Sequence, residues 1–227
     1  MQKNVIIVAG GSGSRMGNTT PKQFLNLKGR PVVMHTIERF YHFDDSIHIV
    51  LVLPSDQEDL WEQLCNDHNF TIAHSIASGG TERYHSVKNG LELINGGLTA
   101  VHDAVRPLVS IDTIGRTFEL AQSKGNAIPG VTETESLRKL DNDRNVSIDR
   151  SQIVKVQTPQ VFETNLLKKA YERSYCTEFT DDASVCEADS MEINLCEGNN
   201  ENIKLTTPID LAIAEVYISK MNDLENE

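Results

Sequence analysis

Residues 8–23, VAGGSGSRMGNTTPKQ, hold four glycines, one arginine (Arg15) and one lysine (Lys22) directly behind the apolar run Val5–Ala9. Glycines just past the carboxyl end of a strand let the backbone approach a ligand closely, and successive N–H groups there form a concavity suited to phosphate. The two cations suit the same guest. The planar fork of Arg15 matches a pair of phosphate oxygens, whereas Lys22, stiffened by Pro21 before it, acts as a point charge. The spacing narrows the class of nucleotide site. Gly11, Gly13 and Gly17 give GxGxxxG, with Met16 where a dinucleotide fold would hold its third glycine, and the second strand ends Leu53-Pro54-Ser55 without an acid for a ribose. A GxxxxGK[ST] phosphate loop is missing as well.

These residues need a scaffold, and the apolar pattern supplies one. Strands are expected at 5–9, 47–53, 71–76 and 99–102, alternating with helices at 31–41, 56–67, 84–94 and 111–123. Strand–helix alternation of this kind predicts an α/β fold: a Rossmann-like, mainly parallel sheet with helices on both faces. After Gly130 the pattern changes. Two extended segments between Val131 and Val161 flank the turn-forming Asp141–Asn145, which predicts a β-hairpin arm, about residues 131–155, protruding from a single domain spanning 1–227. Helices at 164–175 and 181–187 and strands at 193–196 and 203–205 follow. The last helix has Thr207 as its expected N-cap, Pro208 at its first position and Asp210 in its first turn.

The 227-residue chain carries 21 Lys and Arg against 33 Asp and Glu, a formal net charge of −12. Such a balance argues against nucleic acid and against an anionic membrane surface, so an anionic ligand must be met by local cations. The first apolar run is too short for a signal peptide or a membrane span, which predicts a cytoplasmic protein. Cys65, Cys176, Cys186 and Cys196 form no CxxC pair and the histidines show no ligand spacing, so no structural zinc site is expected; no protein ligand is assigned to any other metal, Asp103 at a strand end being the nearest candidate. No histidine or carboxylate pair presents itself as a general base.

Three ordered segments go beyond composition. GGSGSRMG with PKQ, then Gly79–Val87 (GGTERYHSV), then Val101–Pro107 (VHDAVRP), resemble the signature segments of the sugar-phosphate nucleotidyltransferase family. Further matches, TPQVF, TDDAS and EGNNENIKLTTPIDLAIAE, point to the branch that cytidylylates 2-C-methyl-D-erythritol 4-phosphate in non-mevalonate isoprenoid precursor synthesis. The resemblance implies attack by an acceptor phosphate oxygen on the α-phosphorus of CTP, with pyrophosphate leaving. It assigns Arg15 and Lys22 to charge stabilisation as catalytic residues. It places the nucleotide along Ala9, Gly10, Gly11, Gly13, Gly79, Gly80, Arg83 and Ser86, and the acceptor phosphate and polyol at Asp103, Arg106, Ser136, Arg150 and Lys204. Ser136 stands where many relatives carry Thr. Mg²⁺ held mainly by the CTP phosphates, and a homodimer exchanging its arms, are implied too.

The residues admit other readings. Ser86 could serve local backbone bonds near a helix start, and Arg83 could pair with acids across its loop. A ribitol 5-phosphate cytidylyltransferase would share the loop and the chemistry, although Ala104 and SVKNGL favour methylerythritol phosphate. An NAD-linked Rossmann oxidoreductase lacks its ribose acid here, and a silent sugar-phosphate sensor would not need both loop cations.

Overall fold

The computed structural model describes residues 1–9 and 20–225, with side chains described as far as residue 220. Gly10, Gly11, Gly13 and Arg15 lie outside the described residues. Along the chain, β1 (Lys3–Val8) is followed by a short ribbon, β2 (Asn26–Leu27) and β3 (Arg30–Pro31), then α1 (Val32–Phe43), β4 (His48–Leu53), α2 (Glu58–Asp67), β5 (Ser75–Ser78), α3 (Arg83–Glu92), β6 (Leu98–Asp103) and α4 (Ile111–Lys124). The second half holds β7 (Asn126–Thr132), β8 (Leu137–Asp141), β9 (Arg144–Ile148), β10 (Val154–Val156), β11 (Gln160–Glu163), α5 (Thr164–Ala170), α6 (Asp182–Ala188), β12 (Leu195–Glu197) and α7 (Pro208–Glu225).

The main sheet runs β10-β7-β11-β6-β1-β4-β5, with β12 also on β7. Its heart, β6-β1-β4-β5, is parallel, as the alternation predicts, and β11 lies antiparallel between β6 and β7. Side chains of β1 alternate in the period of a strand buried on both faces. Val5 and Ile7 join Met34, Ile37 and Phe40 of α1 and Phe118 of α4 on one face, while Ile6 and Val8 join Tyr84, Val87 and Leu91 of α3 on the other. Each such side chain contributes roughly 1.5–3 kcal/mol on burial. Helix α3 comes closest to the sheet at Gly90, where a methyl group would stand 2.9 Å from Ile6 Cγ2 and 3.1 Å from Val52 Cγ2. No helix among the described residues is long and apolar enough to cross a membrane.

Several boundaries differ from the sequence reading, each for a local reason. The strand expected at 71–76 forms at Ser75–Ser78, in register with the end of β4. The helix from Thr164 stops at Ala170, and residues 203–205 form no strand, being tied instead by a backbone bond from Leu205 N–H to the Val105 carbonyl at 2.9 Å. Asn126–Thr132, not expected as a strand because Pro129 and Gly130 interrupt it, pairs with three neighbours. Within the expected arm only β8 and β9 leave the main sheet. The chain returns to the sheet at β10 beside β7, and Val161 and Phe162 are then fully buried in β11 against β6. The last helix begins at Pro208, which leaves Thr207 at the N-cap position as expected, and the Asp210 carboxylate of the first turn reaches back to accept from the Thr206 and Thr207 amides at 2.8 and 2.7 Å.

The end of β6 is latched to the segment before β11. His102 is fully buried, its Nε2–H donates to the Arg106 carbonyl at 3.1 Å, and its Nδ1 therefore accepts from Thr158 Oγ1 at 3.0 Å. The same hydroxyl oxygen accepts from the Asp103 amide at 3.2 Å. Burial lowers the His102 pKa to about 4, outweighing the Arg106 carbonyl bond and the Asp103 charge, which favour protonation. Between that value and about 6.5 the unfolded chain binds a proton that the folded one refuses, so this contribution to stability is whole above about pH 6.5 and falls as the pH is lowered toward 4. A His102→Gln variant is expected to show a flatter decline of Tm across that window than the parent protein. Parallel melting curves would move the sensitivity elsewhere, first to His35, which burial also shifts downward.

Candidate active site

The parallel strands end together at one rim, where an open α/β sheet binds its ligands. A cavity of about 180 Å³ lies there beside the last residue of β6, with Arg83, Asp103, Arg106, Thr158 and Lys204 in its wall. Asp103 is the centre. Its carboxylate accepts from Lys204 Nζ at 3.0 Å, from Arg106 Nε at 3.3 Å and from Arg83 Nε at 3.4 Å. Each partner arrives by a separate route: Arg83 opens α3, Arg106 sits in the turn closed by its own amide on the Asp103 carbonyl, and Lys204 is carried in by the Leu205–Val105 backbone bond.

Burial alone would raise the Asp103 pKa, but Arg83, Lys204 and Arg106 together hold the carboxyl well below the usual carboxylate range. Arg83 stays charged for the mirror reason. Burial disfavours its cation, and Asp182 and Asp103 outweigh that cost. Arg83, Arg106 and Lys204 thus meet at the cavity with Asp103 and with Asp182 beneath Arg83, while Asp181 also lines the wall, so three cations are gathered in one place in a chain whose net charge is −12. An anion brought against these partly enclosed cations would feel each of them more strongly than in open water.

Lys22 is placed on the same side. It opens a single 3₁₀ turn, Lys22–Phe24, and its Nζ donates to the Thr206 carbonyl at 3.3 Å, two residues beyond Lys204. What holds the two lysines together is apolar: Leu27 and Val32 pack with Leu205 of the Lys204 segment and with Ala214 and Ile218 of α7.

The residues expected to meet the nucleotide divide. Ala9 and Gly79 lie on either side of the end of β4, their amides donating to the Val52 and Leu53 carbonyls at 2.9 and 2.6 Å. Gly80 N–H donates to Ser86 Oγ at 3.1 Å, and that hydroxyl donates in turn to the Glu82 carbonyl at 3.2 Å. Ser86 thus ties the glycine pair to the first turn of α3. A side chain at Gly80 would put its Cβ 2.2 Å from that of His85, so only glycine fits beneath the loop. Arg83 goes elsewhere. Its Nη1 and Nη2 donate to Asp182 at 2.9 and 2.7 Å and its Nε points at Asp103, which groups it with the residues expected for the acceptor.

Ser136 and Arg150 stand on the arm, both exposed, and neither is among the described residues lining the cavity. The Arg150 guanidinium donates to the Thr134 carbonyl. Two residues that belong to the site's framework went unread in the sequence. Asp182 is fully buried beneath Arg83, and Thr158 carries the latch to His102 and Asp103. Their segments, TDDAS and TPQVF, stood out only as resemblance, because a buried acid and an exposed one read alike in a sequence.

Comparison with known proteins gives a consistent answer. The family model for 2-C-methyl-D-erythritol 4-phosphate cytidylyltransferase matches residues 4–220. Relatives of that name from Phocaeicola vulgatus and Bacteroides thetaiotaomicron are 53% and 50% identical over 219 residues, covering 96% of this chain and 100% of theirs. The crystal structure of the Francisella tularensis protein of that name superposes with a TM-score of 0.78 at 29% identity, covering 96% of this chain and 100% of that one. The 4-diphosphocytidyl-2C-methyl-D-erythritol synthase of Anaerococcus prevotii shares the fold, with a TM-score of 0.82 at 23% identity and 96% of each chain covered. With three cations gathered at the strand ends and near end-to-end likeness to these relatives, the chain belongs to the 2-C-methyl-D-erythritol 4-phosphate cytidylyltransferase family.

Proposed function

We infer that this chain transfers the cytidylyl group of CTP to 2-C-methyl-D-erythritol 4-phosphate, releasing pyrophosphate, in isoprenoid precursor synthesis. The observation that carries the reading is the family match across residues 4–220. Cytoplasmic location fits four cysteines that are all unpaired. A phosphate monoester loses its second proton near pH ~6, so the attacking oxygen is already an anion at neutral pH and needs no base. That oxygen bonds to the α-phosphorus, the bond from the α-phosphorus to the bridging oxygen breaks, and pyrophosphate departs with the electron pair. The difficulty is repulsion between two anions, and catalysis becomes positioning and charge neutralisation.

Lys204 and Arg106 would receive the acceptor phosphate and polyol, and the ionised carboxylate of Asp103, which can only accept, would accept hydrogen bonds from the polyol hydroxyls. The base and ribose would lie along Ala9, Gly10, Gly11, Gly13, Gly79 and Gly80, with Ser86 fixing the loop, and Arg15 and Lys22 would neutralise the charge growing on the α-phosphate. Mg²⁺ would come with the triphosphate. Among the described residues no three His, Cys, Asp or Glu side chains cluster as a metal site, and Asp103 already faces three cations. Bound that way, the ion would offset triphosphate charge.

The arm argues for a partner. A two-stranded hairpin is marginal alone in water, and β8–β9 carries Leu140 and Val146 at 79% and 54% exposure. We propose a homodimer in which each arm brings Arg150 and Ser136 to the other subunit's acceptor site.

Purified protein given CTP, Mg²⁺ and either polyol phosphate is expected to release pyrophosphate with methylerythritol phosphate. Release with ribitol 5-phosphate alone would replace the acceptor. Lys22→Ala should leave the CTP Kd within a few-fold and lower kcat by roughly 100-fold or more, on the scale of a lost preorganised donor; equal losses in both would confine Lys22 to ground-state binding. Mixed dimers test the exchange. Lys22→Ala and Arg150→Ala proteins, each inactive alone, should regain roughly a quarter of parental sites when co-assembled, because a two-fold dimer then builds one intact site in each hybrid. No recovery would place Arg150 in its own subunit's site.

A further inference from the structure

Asp182 does not line the cavity itself, although Thr180 and Asp181 beside it do, and both of its carboxylate oxygens are taken up by Arg83 and Tyr171. It sits in the first turn of α6 with no exposed surface. Both oxygens accept from Arg83, Oδ1 from Nη1 at 2.9 Å and Oδ2 from Nη2 at 2.7 Å, a bidentate pair with one geometry. Oδ1 also accepts from the Tyr171 hydroxyl at 2.7 Å. Tyr171 is fixed in turn: it is 2% exposed, stacks on Tyr84 at 4.7 Å between ring centres, and its carbonyl accepts from the Tyr84 hydroxyl at 2.9 Å. Burial and the Asp182 charge push the Tyr171 hydroxyl far above its ordinary pKa, so it donates at every working pH.

A planar guanidinium held at two nitrogens has no rotation left. The third, Nε, must then point where the plane directs it, and it points at Asp103, 3.4 Å away. Well-packed apolar groups could brace α3 against α6 at less cost than a buried ion pair. Orientation of a charge is what apolar packing would not supply.

We propose that Asp182, oriented by the Tyr171 hydroxyl, is a positioning residue for the transfer reaction: it holds Arg83 so that Nε faces Asp103, and thereby sets the acceptor side of the cavity. The inference rests on the function proposed above for the identity of the acceptor only. Without Asp182, Arg83 is left with Asp103 as its remaining carboxylate. It turns both Nη groups toward that residue and draws it from Lys204 and from the substrate hydroxyls.

Two variants and two readouts test this on the full-length protein. Tyr171→Phe keeps the ring packing and loses one hydrogen bond; Asp182→Asn keeps the shape and loses the charge. The KM for methylerythritol phosphate should rise roughly three- to tenfold in Tyr171→Phe and further in Asp182→Asn, while the KM for CTP stays within about twofold. Asp182→Glu should recover part of the loss. Independently of any substrate, the Arg83 Nε–H resonance should be exchange-protected in the parent protein and should shift on Asp103→Asn, and both properties should vanish in Tyr171→Phe. A lowered Tm with both KM values and the resonance unchanged would make Asp182 a brace and overturn the proposal, as would equal rises in both KM values. If the parent protein turned over no methylerythritol phosphate, the functional reading would fail, and the resonance would still decide the role of Asp182.

Discussion

One carboxylate, Asp103 at the end of β6, organises this site. It is fully ionised in a nearly buried position because three cations surround it, and each of those cations is in place only because a different part of the chain delivers it. Arg83 comes from the start of α3, Arg106 from the following turn, and Lys204 from a segment that α7 and the β2–β3 ribbon hold against the body. Buried charges are costly unless paired, and the need is greatest at Asp103 and Arg106, whose side chains are 10% and 13% exposed, whereas Lys204, at 46%, keeps water as a second partner.

Behind the charges stands an uncharged framework. The latch from His102 through Thr158 to the Asp103 amide joins β6 to the chain entering β11, and neutral His102 makes it possible, since a protonated ring could not accept from Thr158. The Gly79–Gly80–Ser86 arrangement does the equivalent task at the start of α3, where a hydroxyl serves as the partner of a glycine amide. In both places the polar side chain bonds to backbone. Neutral bonds thus fix the positions that charged groups then exploit.

The first half of the fold was legible because its signal is local: Val5–Ala9 and Ile47–Leu53 are apolar runs bounded by turn residues, and α1 and α4 carry their own spacing and caps. The second half was less so. Asn126–Thr132 holds Pro129 and Gly130, and Gln160–Glu163 is four residues long; both become strands through neighbours that sequence pattern does not contain. The site divides similarly. Asp103, Arg106 and Lys204 were named from short ordered segments, and the structure brings them within 3.3 Å of a shared carboxylate. Arg83 was read with the nucleotide and lies instead between Asp103 and Asp182, a pairing that spans 99 positions of chain and leaves no trace in spacing.

The antiparallel position of β11 has a consequence during synthesis. The strand that covers the outer edge of β6 begins at Gln160, after the arm, whereas β1, β4, β5 and β6 are all made by Asp103. If those four strands pair before Gln160–Glu163 is made, β6 presents an unpaired margin in addition to the outer edge of β5, and such a margin is an open template for a neighbouring polypeptide. Sealing that margin also delivers Thr158 to His102 and Asp103. Covering that edge and fixing the backbone of Asp103 are thus tasks of one stretch of chain, Thr158–Glu163.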